Sequence, residues 1–152
     1  MSDTRKKIEH SLNDLIAISR DGQEFYQEAA GKVEDAELAT LFRRMAAVKA
    51  EIAAALGHTV QATGGKPQQD GTLAGSLRQT YAQVRAVLGD RRYAYVAELE
   101  ESEDRLLHAF NETVADADTP VAAREAAQRL LPEVRACHDV MRNRKQALKS
   151  AA

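Results

Sequence analysis

An all-α fold built from four long helices is predicted by three observations. Glycine and proline are scarce, at 8 and 3 in 152 residues, and both weaken or break a helix when they fall inside it. Ala, Leu, Glu, Arg and Gln, which lose little on entering a helix, are abundant. Apolar residues recur at spacings of three and four over long stretches, the period of a helix with one buried face, and no segment alternates as a strand would.

Each element has its own justification. The first helix begins after Ser2 or Asp3 as N-cap, and its inner stripe runs Ile8, Leu12, Leu15, Ser19, Gly22, Tyr26, Ala29 and Val33. Gly22 lies in mid-stripe, where glycine costs a helix about 1 kcal/mol relative to alanine; its presence predicts a close approach of another element to the backbone. Asp35 is the expected N-cap of the second helix, whose stripe is Leu38, Leu41, Met45, Val48, Ile52 and Ala55, widened by Phe42 and Leu56. The short Glu34-Asp35 junction forces these two helices into an antiparallel hairpin. Asp90 starts the third long helix, which extends to about Ala115. The last opens with Pro120 as its first helical residue behind Asp118 or Thr119 and runs toward Leu148, with the seam Ala127, Leu131, Val134, His138, Met141 and Leu148. Pro132 falls inside it, where a missing N–H and a steric clash predict a kink or break around Gln128 to Leu131. Tyr93 and Tyr95 cannot both point inward, and one of them is a candidate for a dimer surface.

The connection between the second and third long helices decides the topology. Residues 63–71 read Thr-Gly-Gly-Lys-Pro-Gln-Gln-Asp-Gly, a connector, and Thr72 can cap a short helix over 73–88 that carries Leu73, Leu77, Tyr81, Val84 and Leu88 and ends at Gly89. An up-down-up-down bundle needs only a tight turn there, whereas a crossover must carry the chain back along the bundle. At 1.5 Å per residue the short helix covers roughly 24 Å, and the glycine-rich loop supplies the rest. The expectation is a single ferritin-like domain over residues 1–152, with 63–90 as its crossover.

Composition excludes several classes of function. Twenty-one Lys and Arg against 23 Asp and Glu leave a formal charge of -2, with no basic patch to attract nucleic acid. Short basic runs such as Arg43-Arg44 and Arg142 to Lys145 read as solvated helix faces. No segment approaches the ~20 apolar residues of a membrane span, and the basic amino end MSDTRKKIEH lacks the apolar stretch of a signal peptide, so a cytoplasmic location is expected. Cys137 is the one cysteine; without a partner or a CxxC motif it reads as a small buried hydrophobe. No serine or cysteine sits in a glycine-tight turn, and no phosphate-cradling glycine motif follows a strand.

Chemistry concentrates on the third long helix. Its apolar stripe of Val96, Leu99, Leu106, Phe110 and Val114 is interrupted by Glu103 at an inner spacing, with Glu100 on nearly the same side and Asp104 beside it. An unpaired buried carboxylate costs several kcal/mol, so Glu103 must pair with a cation, be protonated, or lie outside the core through a rotation of the helix. Partners on offer are His138 in the fourth-helix seam, Asp21, Glu24 or Glu28 from the first helix, and Lys49 or Glu51 from the second. Carboxylates with imidazoles in a bundle interior form the di-iron or di-manganese arrangement, which uses a Glu-x-x-His pair on each of two helices. The four histidines, His10, His58, His108 and His138, follow Lys7, Ala55, Arg105 and Arg135 at that spacing, so none completes the motif. Asp104 and His108 have the weaker i,i+4 spacing of a surface pair or a metal-ligand pair.

Five segments together resemble a bacterial ferritin-like four-helix-bundle family classed as a domain of unknown function. They are Leu12-Asn13-Asp14-Leu15-Ile16, Asp21-Gly22-Gln23-Glu24-Phe25-Tyr26, the Gly71 to Leu77 connector, Glu98 to Asp104, and Glu133 to Asp139, within a span from about Leu12 to Arg142. The resemblance implies the ferritin-like fold and emphasises Asp21, Glu100, Glu103, Asp104 and His138, without supplying a reaction. Where the family pattern often carries an acid late in the second helix, this chain has Ala55, a departure that weakens any inherited metal centre.

The expected function is that of a non-enzymatic helical bundle with a polar cluster in its core, acting through protein contacts or homo-oligomerisation, with a stress-related role by analogy to other ferritin-like proteins. The alternative is an oxidoreductase or metal-storage bundle holding iron, manganese or zinc on Glu100, Glu103 and His138 with Glu24 from the first helix.

Overall fold

Two of the long helices begin where a short polar side chain satisfies a free N–H group. In the computed structural model, which describes residues 2–71, 83, 84, 87 and 89–151, four helices are present among the described residues. These are α1 (Ser2–Lys32), α2 (Ala36–Ala62), α3 (Arg91–Ala115) and α4 (Val121–Ala151). Asp35 caps α2 by accepting from the Leu38 N–H at 3.0 Å, and Asp90 caps α3 by accepting from the Arg92 N–H at 3.0 Å. The outer ends shift by a residue or two from expectation: Ser2 is already helical, and Pro120 precedes α4, its carbonyl accepting from Arg124 N at 2.9 Å. Arg124 in turn donates to the carbonyl oxygens of Asp116 at 2.9 Å and Thr119 at 3.1 Å, tying the α3–α4 turn together.

Of the kink or break expected around Gln128 to Leu131, the break is absent: α4 continues through Pro132. Gln128 and Pro132 are both exposed, so water can satisfy the carbonyl that proline leaves without a donor. The predicted short helix over 73–88 and its Thr72 cap lie largely outside the described residues. Gln83 and Val84 are described and helical, and Val84 is buried.

Two apolar clusters define the direction of each helix. One joins Phe25, Tyr26 and Ala29, late in α1, with Leu38, Phe42 and Met45, early in α2, Tyr95, Val96 and Leu99, early in α3, and Cys137 and Met141 in the second half of α4. The other joins Leu12 and Leu15 with Ile52 and Leu56, Leu106 and Phe110, and Ala127 and Val134. Helix α1 is therefore antiparallel to α2 and α3, whereas α2 and α3 run parallel, and the chain must travel the length of the bundle between them. Its first stretch does so along α1. Gly64 lies beside Arg5, Gly65 beside Glu9, and Gly71 against Asp21. Asn13 donates to the Lys66 carbonyl at 3.0 Å and accepts from Gln68 N at 2.7 Å. From Arg5 to Asp21 a helix rises roughly 24 Å at 1.5 Å per residue, which an extended chain at roughly 3.3 Å per residue covers between Gly64 and Gly71.

Gly22 is in ordinary contact rather than crowded. A methyl group there would meet the Lys49 side chain and Ser102 Oγ at 3.6 Å. The close approach inferred from its sequence position is thus no closer than normal packing. Gly22→Ala is expected to raise the unfolding free energy by about 1 kcal/mol, the helix-propensity difference, as measured by urea denaturation.

Candidate functional site

Between the two apolar clusters lies a polar layer. Lys49 falls on the inner stripe of α2, four residues after Met45 and three before Ile52, and Glu103 falls between Leu99 and Leu106 on α3. The helical period turns both inward. Lys49 Nζ lies 2.7 Å from Glu103 Oε1, and the two side chains are only 2% and 0% exposed. Tyr26 from α1 donates its hydroxyl to Glu103 Oε2 at 2.5 Å, within the short range of hydrogen bonds to an ionised acceptor. Cys137 from α4 completes the layer, beside Lys49 and Glu103, whose charges act on its thiol in opposite senses. All four helices contribute one member each.

This geometry answers how Glu103 tolerates burial: it is paired with a cation. The aliphatic stem of Lys49 runs past Gly22 at a distance that would leave ordinary contact with a methyl group there. Burial, then the Glu103 charge and its hydrogen bond, raise the Tyr26 hydroxyl well above its ordinary value of 10.0. Burial likewise pushes the Cys137 thiol up from 9.0, so at neutral pH it is a packed thiol and not a nucleophilic thiolate.

The Tyr26 shift has a sign that can be checked. With its folded value above the unfolded 10.0, the native state retains a proton that the unfolded chain releases. The stabilisation is complete below pH 10.0 and declines above it by about 1.4 kcal/mol per pH unit. Tyr26→Phe is expected to lose about 1.5–3 kcal/mol at neutral pH through the missing hydrogen bond to Glu103, and to show a shallower alkaline decline than the parent chain in urea titrations on either side of pH 10.0.

A second cluster lies on the α3–α4 seam. Glu100, Asp104 and His138 each offer a ligand atom, all within 4.8 Å of one another. His138 Nε2 lies 2.5 Å from Asp104 Oδ1, and Nδ1 faces Asp139 Oδ1 at 3.4 Å; the His138 side chain is 13% exposed and that of Asp104 57%. The residues expected to form one centre are thus distributed over three places. Glu100 and His138 meet at the seam together with Asp104, Glu103 is engaged inside by Lys49 and Tyr26, and Glu24 is exposed on α1. Asp104 pairs with His138 across helices and not with His108, which instead meets Glu112 at 3.0 Å on the surface.

A family model described as a domain of unknown function, DUF2383, matches residues 7–116. The chain belongs to that family. The DUF2383 match takes in α1 from Lys7 onward, α2, the crossover and α3, and ends at Asp116, which caps the end of α3. Tyr26, Lys49 and Glu103 fall within it, whereas Cys137 and His138 fall on α4, beyond it. No curated protein matches the chain. No helix among the described residues is long and apolar enough to cross a membrane.

The interior layer does not fit a pair of metal ions. Its donor set is one carboxylate, one phenol and one thiol, and the carboxylate is already neutralised by a buried ammonium. A dication beside Lys49 would meet a like charge in a medium that screens little.

Proposed function

We propose that this DUF2383 chain is a non-enzymatic, ferritin-like helical scaffold of the cytoplasm that acts through protein contacts, self-association among them. The observation that carries the reading is Lys49, an internal cation held at 2.7 Å from the carboxylate that a di-metal bundle would use as a ligand. The crossover, with α2 and α3 parallel, supports the ferritin-like assignment. With the middle of the bundle occupied by its own ion pair, the surface is where the chain meets other molecules.

Iron titration of the purified chain tests the interior half of this reading. Ferrous iron is expected to oxidise no faster than in buffer, with Glu103→Gln making no difference. Ferroxidase activity that survives His138→Gln but is lost in a folded Glu103→Gln would sink it. Light scattering tests the contact half: an oligomer is expected, and a strict monomer at high concentration removes self-association from the proposal.

A further inference from the structure

The seam cluster is built differently from the interior layer. Glu100 and Asp104, four residues apart, project from one side of α3, and His138 reaches them from α4. A site that draws donors from two packed helices is held by the tertiary fold. The pairs His10–Asp14 and His108–Glu112, each on one helix and at least 66% exposed, have no such support.

Charge also favours a cation there. Glu100 makes no hydrogen bond or ion pair among the described residues, so two carboxylates within 4.8 Å of each other are served by one imidazole. Arg142 is turned to Asp139, at 3.7 Å, and not into the cluster. In the protein as it stands His138 Nε2 and Asp104 Oδ1 are in direct contact across the two helices. A metal ion between these two atoms needs more room than the direct contact leaves, and Asp104, more than half exposed, is free to swing aside and accommodate it. The second nitrogen of His138 faces Asp139, the carboxylate–histidine arrangement that orients a ligating imidazole and fixes its tautomer.

We propose that Glu100, Asp104 and His138 form a divalent transition-metal site on the α3–α4 seam, with zinc(II) as the cation that fits the donors. One imidazole nitrogen and two carboxylate oxygens are ligands zinc accepts at about 2.0–2.2 Å, with water in the remaining position. Iron(II) and manganese(II) share this donor preference more weakly for nitrogen. The proposal goes beyond the scaffold reading and does not rest on it, since it leaves the interior pair untouched.

Zinc(II) binding to the full chain, followed by equilibrium dialysis and by the rise in melting temperature, tests the site. One equivalent per chain is expected, with binding lost in His138→Gln and in Asp104→Asn and weakened roughly tenfold or more in Asp139→Asn. His108→Gln is expected to bind as the parent does. Because Asp104 is exposed, its variant keeps the test valid even where His138→Gln disturbs packing. The proposal is overturned by failure to saturate with zinc, by unchanged binding in Asp104→Asn, or by binding that disappears in His10→Gln or His108→Gln instead. The two proposals fail separately: Glu103→Gln reports on the interior, and these variants on the seam.

Discussion

Replacing Glu103 with alanine is expected to lower the unfolding free energy by about 3–5 kcal/mol, because it strands a buried ammonium. Lys49 is 2% exposed and its ion pair is with Glu103, while the Tyr26 hydroxyl loses the acceptor it holds at 2.5 Å. Against the roughly 5–15 kcal/mol that separates a typical domain from its unfolded state, the single variant is at the edge of folding. The informative comparison is the double variant Lys49→Met with Glu103→Leu. Two charges taken out of water cost about as much as their attraction returns, so removing both together is expected to recover most of the loss, short of about 1–3 kcal/mol for the buried Tyr26 hydroxyl left without an acceptor. Urea denaturation of the parent, Lys49→Met, Glu103→Leu and the double closes the cycle. A Glu103→Ala variant as stable as the parent would mean that the carboxylate is not ionised in the native layer.

Phe110→Ala is expected to be as damaging, at about 3–5 kcal/mol, but through a different cause and without a rescuing partner. Phe110 is wholly buried in the apolar cluster that holds Leu12, Ile52, Leu106 and Val134. Truncating it removes a large apolar surface and leaves a cavity that four packed helices can close only in part. No second deletion restores the lost contacts, whereas the polar layer can be emptied in pairs. Melting temperature and urea midpoint should fall together for Phe110→Ala. Preservation of both would show that the bundle end formed by this cluster is loosely packed.

Much of this architecture was legible in local chemistry. Asp35 and Asp90 read as caps because each precedes an apolar stripe, and both accept the expected N–H. The α1 stripe from Ile8 to Ala29 is buried throughout, and Tyr95 is buried where Tyr93 is not, as alternate positions on a helix require. Glu103 stood out as an acid at an inner spacing, with Lys49 among several partners on offer.

The choice among partners was not legible, and neither was the division of the acids between core and seam. A helical period states which face of each rod is apolar; it carries no record of how far one rod slides or rolls against its neighbour. Glu100 and Glu103, three positions apart, differ enough in angle that packing sends one to Lys49 and leaves the other beside His138. Asp104 meets His138 and not His108 for the same reason, since the α3–α4 register brings a remote side chain closer than the local one. Residue pattern alone determined four amphipathic helices, the Asp35 and Asp90 caps, and the long return between the second and third. Tertiary packing decided which charges meet, because contact between helices depends on axial stagger and rotation set jointly by every side chain in the interface.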